Sequence, residues 1–375
     1  MIYLDNAATT NKKPCAVLKA VISELKNSAN PGRSSHFLGV KSLDKILKTR
    51  EILARLFKLS HPENFILTPN ATYGLNFVIK GYLKPYDHCI TTSMEHNSVI
   101  RPLNSIKNLD ITFVRGDKFG FISPDSIVEH IKENTKLIII NHASNVNGII
   151  QDVETIAKKV APFNIPILID ASQTAGILDT DWSLFSFIAF PGHKSLYGPQ
   201  GTGAVYIKPG MELETIIEGG TGSNSQLTTN PLELPDRFES GTLNTPGFCG
   251  LYEGVNFILN EGTDAILKYE HYLCYNLLCN LYNMENITVY SPFDINKINN
   301  TICFNINGKD SSTVAEILNS KFNIATRPGF HCAYPAHETL GTKNQGSVRV
   351  SVSYFNTISE INYFVDSIYK IRTSV

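Results

Sequence analysis

Short apolar runs that end in a polar cluster recur through the first two-thirds of the chain. Residues 64–83, NFILTPNATYGLNFVIKGYL, read as strand, turn and helix. Further runs cover 88–98, ending near His96, 136–148, ending near Asn145, 165–176, ending at Asp170, and 185–194, ending at Lys194. Their β-branched and aromatic content predicts buried strands. Between most of them lie stretches long enough for helices, such as 123–133 and 152–161. Strands alternating with helices predict an α/β domain with a largely parallel sheet. In such sheets ligands bind beyond the carboxyl ends of the strands. His96, Asn145, Asp170 and Lys194 all fall at strand ends, so they are expected on one rim.

The pattern changes near residue 250. Two segments there, GLYEGVNFILNEG and AILKYEHYLCYNLLCNLYNM, carry apolar positions at helical spacing. Short strands at 300–306 and 347–355 follow, with helical patterns at 312–321 and 358–371. The expected organisation is a large domain, 15–250, and a smaller α+β domain built from 1–14 and 251–375.

Composition narrows the function. The chain has 375 residues, 42% hydrophobic and 18% charged, a net charge of −1 and no long basic run. Nucleic acid is therefore not expected as a partner, since phosphate binding needs a positive footprint. No apolar stretch reaches the roughly 18 residues that span a bilayer. The first residues, MIYLDNAATT, lack the basic and apolar regions of a signal peptide. A cytoplasmic protein without a membrane association is expected.

Seven cysteines, at 15, 89, 249, 274, 279, 303 and 332, show no CxxC spacing. That speaks against a zinc ribbon or a disulfide framework. Most are expected as inert core thiols. Cys332 differs, because it stands among breakers and polar groups in RPGFHCAYPAH. His331, Cys332 and His337 hint at a metal site, but no other cluster supplies the remaining ligands, so no metal is expected.

No G-x-G-x-x-G follows a strand and no P-loop motif occurs, which leaves out dinucleotide and nucleotide fingerprints. GPQGTG has the reversed glycine spacing and follows Lys194. A lysine-imine cofactor fits better. Pyridoxal 5'-phosphate needs a lysine, an acid facing its ring nitrogen and a phosphate cup. Lys194 supplies the first. Asp170 can hold the ring nitrogen protonated. Thr72 lies where a strand turns into a helix, a ready phosphate site. His96 can stack on the ring, and Gln173 can reach its phenolic oxygen.

These residues sit in segments that, taken together, resemble the cysteine desulfurases of the class V aminotransferase group, fold-type I enzymes. The segments are YLDNAATT, NPGRSSH, NATYGLN, EHNS, HASNVNG, DASQTAG, PGHKSLYGPQGTG, PDRFESGTLNTPG, RPGFHCA and VRVSVSYFNT, in family order over nearly the whole chain. The chain is most similar to the branch with R-x-G-x-H-C-A, which includes sulfur-mobilising desulfurases and selenocysteine lyase-like proteins. The resemblance implies a pyridoxal-phosphate enzyme that converts L-cysteine to L-alanine, with L-selenocysteine as an alternative substrate. Other class V aminotransferase or lyase chemistry is a further alternative, and a non-enzymatic scaffold a remote one.

Position by position, it implies that Lys194 is the Schiff-base lysine and His193 touches the phosphate. Asp170 and Gln173 would hold the ring, and His96 would stack on it and handle protons. Thr72 and the backbone of Ala71 would bind phosphate. Thr242 would reach the phosphate of a neighbouring subunit in a homodimer with shared sites. Asn145 would lie near the phenolic oxygen and the substrate. Arg349 would clamp the substrate carboxylate. Cys332 would receive sulfur as a persulfide, for a thiol or protein acceptor, with His331 and Arg327 as candidates to activate it. Pro191 stands where many relatives have serine, with Ser195 as a candidate replacement donor.

Overall fold

The apolar runs pair into a seven-stranded sheet covered on both faces. The computed structural model describes residues 1–32 and 35–373; residues 33 and 34 of the NPGRSSH segment lie outside these. In chain order the first part contains β1 (Ile2–Tyr3), α1 (Cys15–Asn27), α2 (Phe37–Phe57), β2 (Phe65–Thr68), α3 (Ala71–Tyr82), β3 (His88–Thr92), α4 (Asn97–Ser105), β4 (Asp110–Val114), α5 (Pro124–Glu129), β5 (Thr135–Asn141), α6 (Val153–Val160), β6 (Ile167–Asp170), β7 (Phe187–Pro191) and β8 (Gly203–Ile207). The rest contains α7 (Thr245–Glu261), α8 (Thr263–Tyr282), β9 (Ile287–Val289), β10 (Thr301–Ile306), α9 (Ser311–Phe322), β11 (Ile324–Ala325), β12 (Arg327–Gly329), α10 (Tyr334–Thr339), β13 (Ser347–Ser351) and α11 (Ile358–Thr373).

The large sheet runs β2-β8-β7-β6-β5-β3-β4. Strands β4, β3, β5, β6 and β7 run parallel to one another, while β8 is antiparallel to both β7 and β2. The apolar pattern did not announce β8 as an antiparallel strand. Its turn is the GPQGTG stretch: the Gly192 N–H donates to the Thr202 carbonyl at 2.8 Å and the Gly198 N–H to the Gly192 carbonyl at 2.8 Å. Gly201 sits in that turn at φ +75°, which favours glycine.

Successive side chains of a strand point to opposite faces. In the core of this sheet Ile138 and Ile140 join Ile167, Ile169 and Ile188 on one face, while Leu137 and Ile139 join Leu168, Phe187 and Ala189 on the other. Burial on both sides explains why these runs carry no polar alternation. Each such side chain contributes about 1.5–3 kcal/mol on leaving water.

A second core lies over the antiparallel sheet β12-β13-β10-β9 and gathers α8, α9 and α11. The first residues of the chain join it, since Ile2 pairs in parallel with Ile324 and Leu4 is buried there. Residue 250 falls inside α7. The α7 side chains Phe248, Leu251, Val255 and Ile258 pack in the core of the large sheet, and the second core begins on α8 at Leu273. Helix α7 also seats the loop after Lys194. A Cβ at Gly254 would stand 2.2 Å from the Leu196 carbonyl oxygen, so any side chain there would displace that loop.

Candidate active site

Asp170 is the last residue of β6, and Lys194, His96 and Asn145 follow shortly after β7, β3 and β5. All four line one cavity of about 210 Å³ at the carboxyl ends of the parallel strands. Ala71, Thr72, Gln173 and His193 line it too, and Arg349 reaches it from β13 of the second sheet. Two expected site residues are not part of its lining. Thr242 is exposed outside the cavity, and Cys332 stands next to it on the turn between β12 and α10.

One end of the cavity is an anion cup. The Asn70 side chain caps α3 by accepting from the Tyr73 N–H at 3.2 Å. The N–H groups of Ala71 and Thr72 then have no partner within the helix and face where an anion is favoured. The Thr72 hydroxyl lies 2.8 Å from that of Ser98. His193 Nδ1 is buried without a partner among the described residues, and burial, with Lys194 and Lys13 nearby, lowers its ring to about 4. Pro191 lines the cavity with no N–H to offer. Ser195, the expected replacement, is not in the lining, whereas Ser98 and Ser172 are. Backbone direction decides this, because residues after Lys194 turn away toward α7.

The opposite pole is Asp170. Its Oδ1 accepts from the Ser172 N–H at 3.0 Å, and burial raises its carboxyl above the ordinary range. Lys194 opposes that rise. Burial pulls the Lys194 ammonium down to about 8, against the attraction of Asp170. His96 caps α4, its Nδ1 accepting from the Ser98 N–H at 3.1 Å. Burial, then Lys194 and three arginines, push its ring to about 3. The neutral ring therefore carries its proton on Nε2. Gln173 Nε2 donates to the Ala7 carbonyl at 3.1 Å.

The second sheet supplies a cationic wall. Arg327 and Arg349 are direct partners across β12 and β13, and both line the cavity. Like charges directly opposite repel, so an anion between them is favoured. Arg349 is 1% exposed. Its Nη2 donates to Asp5 at 2.5 Å and its Nη1 to the Asn145 carbonyl at 2.9 Å. Arg349 Nε and Asn145 Oδ1 are buried without partners among the described residues. Arg327 Nη2 lies 3.6 Å from the exposed Cys332 Sγ. The Cys332 carbonyl accepts from the Asn97 N–H at 2.8 Å, and the His331 carbonyl from Asn145 Nδ2 at 2.7 Å. The backbone of Cys332 is thereby held against Asn97, the residue next to His96.

Sequence reasoning missed Asp5, Ser98, Ser172 and Glu95. A carboxylate at position 5, in an otherwise uncharged opening segment, was the available signal for Asp5. Glu95 lies behind the cavity, fully buried. Its Oε1 accepts from the Thr92 hydroxyl at 2.7 Å and the Asn141 N–H at 2.9 Å, while Oε2 has no partner among the described residues. Burial raises its carboxyl from 4.5 to about 8. The unfolded chain releases this proton near 4.5 and the folded chain keeps it until about 8, so folding stability falls as pH rises through that window. Glu95→Gln should flatten that fall. Chemical unfolding of both proteins at pH ~5 and ~8 checks it, and equal pH slopes would refute it.

The Aminotransferase class-V family profile matches residues 2–364. A protein of Methanothermobacter thermautotrophicus named "Probable cysteine desulfurase" is 32% identical over 382 residues, covering 99% of this chain and 94% of that protein. The "Cysteine desulfurase" of Wigglesworthia glossinidia brevipalpis is 30% identical over 388 residues, covering 99% of this chain and 93% of its own. The solved apo structure of the cysteine desulfurase from Thermococcus onnurineus NA1 superposes with a TM-score of 0.93 at 31% identity, covering 100% of this chain and 95% of that one.

Proposed function

The chain belongs to the class V aminotransferases, and we propose that it is a pyridoxal-phosphate-dependent cysteine desulfurase that releases L-alanine from L-cysteine and keeps the sulfur on Cys332 as a persulfide. The observation that carries this reading is one cavity with a buried lysine–aspartate pair inside and an exposed thiol bound to Arg327 at its edge.

The residues fit the cofactor. His193 Nδ1 and Asn145 Oδ1 are buried polar atoms with no partner among the described residues. The α3 N-terminus offers N–H groups to a phosphate. Asp170 is a buried carboxylate that a pyridinium N–H would satisfy. When bound, pyridoxal phosphate supplies an electron sink for the bond-breaking at the substrate α-carbon. Lys194 would tether it, with Ala71, Thr72 and His193 at its phosphate and Asp170, Gln173 and His96 around its ring.

This chain's own groups then do the following. Arg349, oriented by Asp5 and the Asn145 carbonyl, receives the carboxylate of L-cysteine, with Arg327 facing the same space. Lys194, at about 8, takes and returns protons at the substrate α-carbon. His96 keeps a neutral ring with an Nε2–H donor toward the cavity. The Cys332 thiolate attacks the substrate sulfur, forming an S–S bond as the carbon–sulfur bond breaks with its electron pair left on carbon. A proton delivered to that carbon completes alanine. The persulfide then passes to a thiol or protein acceptor.

A second copy of the chain is part of the reading. Leu18, Ile22 and Leu25 are exposed on one face of α1, and Phe37, Leu43 and Leu47 on α2. Such a face favours coverage by a partner. In a homodimer Thr242, exposed on its own subunit, would reach the partner's phosphate cup. The setting proposed is the cytoplasm, where thiols stay reduced.

Incubation with pyridoxal phosphate and L-cysteine, with alanine measured and the protein mapped by mass, tests the proposal. Alanine together with one extra sulfur atom on Cys332 is expected. No alanine would sink it. Arg349→Lys should raise KM for L-cysteine by about 10- to 100-fold with a smaller effect on kcat, since an ammonium cannot copy a bidentate guanidinium. Steady-state kinetics checks this, and an unchanged KM would remove Arg349 from the carboxylate.

A further inference from the structure

His337 has no part in the chemistry above. The sequence offers it with His331 and Cys332 as a fragment of a metal site, but the structure turns the two imidazoles on each other. His331 lies on the turn before Cys332, and His337 on α10 just after it. His331 Nδ1 lies 3.2 Å from His337 Nε2. Their ring centroids are 5.3 Å apart with planes inclined by 24°, so the rings meet edge to edge. His331 Nε2 reaches the Arg327 carbonyl at 3.0 Å, and His337 Nδ1 the Thr342 hydroxyl at 2.7 Å. Both rings are buried, at 2% and 0% exposure.

The partners dictate the tautomers. A carbonyl only accepts, so His331 carries its proton on Nε2 and accepts at Nδ1. His337 must then donate from Nε2 and accept at Nδ1 from the Thr342 hydroxyl. Burial keeps both rings neutral, which this pattern requires. The result is a one-way chain of hydrogen bonds, Thr342 to His337 to His331 to the Arg327 carbonyl. It spans the turn in which His331 and Cys332 both hold left-handed backbone, at φ 50° and 58°. Neither residue favours that conformation, so something must hold it. One end of the chain fixes Arg327, whose guanidinium meets the Cys332 sulfur.

We propose that His337 is a positioning residue for sulfur transfer: through His331 it pins the Arg327–Cys332 turn so that the thiol stands at the cavity edge beside Arg327. This inference rests on the reading of Cys332 as the sulfur acceptor.

The test compares His337→Ala, His337→Gln and Thr342→Val with the parent holoenzyme. A glutamine places an amide N–H close to the imidazole Nε2–H and restores the donor to His331. His337→Ala should lower kcat for alanine release by about 10- to 100-fold, since loss of reacting geometry acts on kcat, with KM within about threefold. His337→Gln should regain most of the loss. Thr342→Val should reproduce the same split more weakly, and it decides the matter if His337→Ala does not fold. Long-range proton–nitrogen spectra of histidine-labelled parent protein should show both rings neutral and protonated at Nε2. An Nδ1–H tautomer at either ring, a Gln variant as slow as Ala, or a normal kcat in Thr342→Val would each overturn the relay. Cys332→Ala, run alongside, separates the two claims. If it leaves alanine release intact, the acceptor reading fails and this inference with it. If it abolishes release while His337→Ala keeps the parent kcat, only the relay fails.

Discussion

Lys194→Ala should cut alanine release from L-cysteine by about 10³-fold or more, even with pyridoxal phosphate in excess, because one side chain does two jobs there. It tethers the cofactor, and it moves protons at the substrate α-carbon. The second job depends on its environment. An ordinary lysine at 10.5 is less than roughly 0.1% neutral at pH 7, whereas one lowered to about 8 is roughly 10% neutral. Burial supplies most of that change, and Arg349 and Arg327 add to it. Lys194→Arg should be as inactive as the alanine variant, because a guanidinium keeps the charge but does not release its proton. Borohydride reduction should label Lys194 in the parent and neither variant. Turnover within about tenfold of the parent in either variant would refute both roles.

Cys332→Ala should lower alanine release from L-cysteine by more than about 10²-fold and leave no persulfide on the protein. Pyridoxal phosphate uptake should be unchanged, because Cys332 is not in the cavity lining. The thiol is exposed, so its removal leaves no void in a core. Alanine and cysteine bear the left-handed backbone at 332 about equally, so the fold should not respond either. The variant also sorts the rival chemistries. An aminotransferase would be indifferent to it. Cleavage of selenocysteine would lose less, because a selenol leaves more readily than a thiol. Full alanine release from L-cysteine by the variant would leave the cavity chemistry standing and remove the acceptor role from Cys332.

Much of the cavity was legible along the chain. Asp170, Lys194, His96 and Asn145 each end an apolar run, and parallel strands put their carboxyl ends on one edge. The lining of a single cavity by all four follows from that rule. Gln173 and Thr72 followed as near neighbours of a strand end and a helix start. The cationic wall was less legible. Arg349 and Arg327 are 22 positions apart in the sequence, and nothing in either segment says that β12 and β13 pair them face to face. Asp5 reaches Arg349 only because it forms a parallel bridge to Ser351 at the end of β13. The spacing of His331 and His337 suggested ligands and not a hydrogen-bonded pair, because spacing carries no information about which ring nitrogen faces which.

The sequence by itself determined the central parallel strands and the residue types at their ends, because side-chain periodicity and turn chemistry are local properties. The tertiary structure alone decided that Cys332 stands beside Arg327, that Arg349 and Lys194 share one cavity, and that burial pulls Lys194 down to about 8. Those outcomes depend on burial and on distances between segments far apart in the chain. Both are set by how the two cores pack together, and local pattern does not encode that.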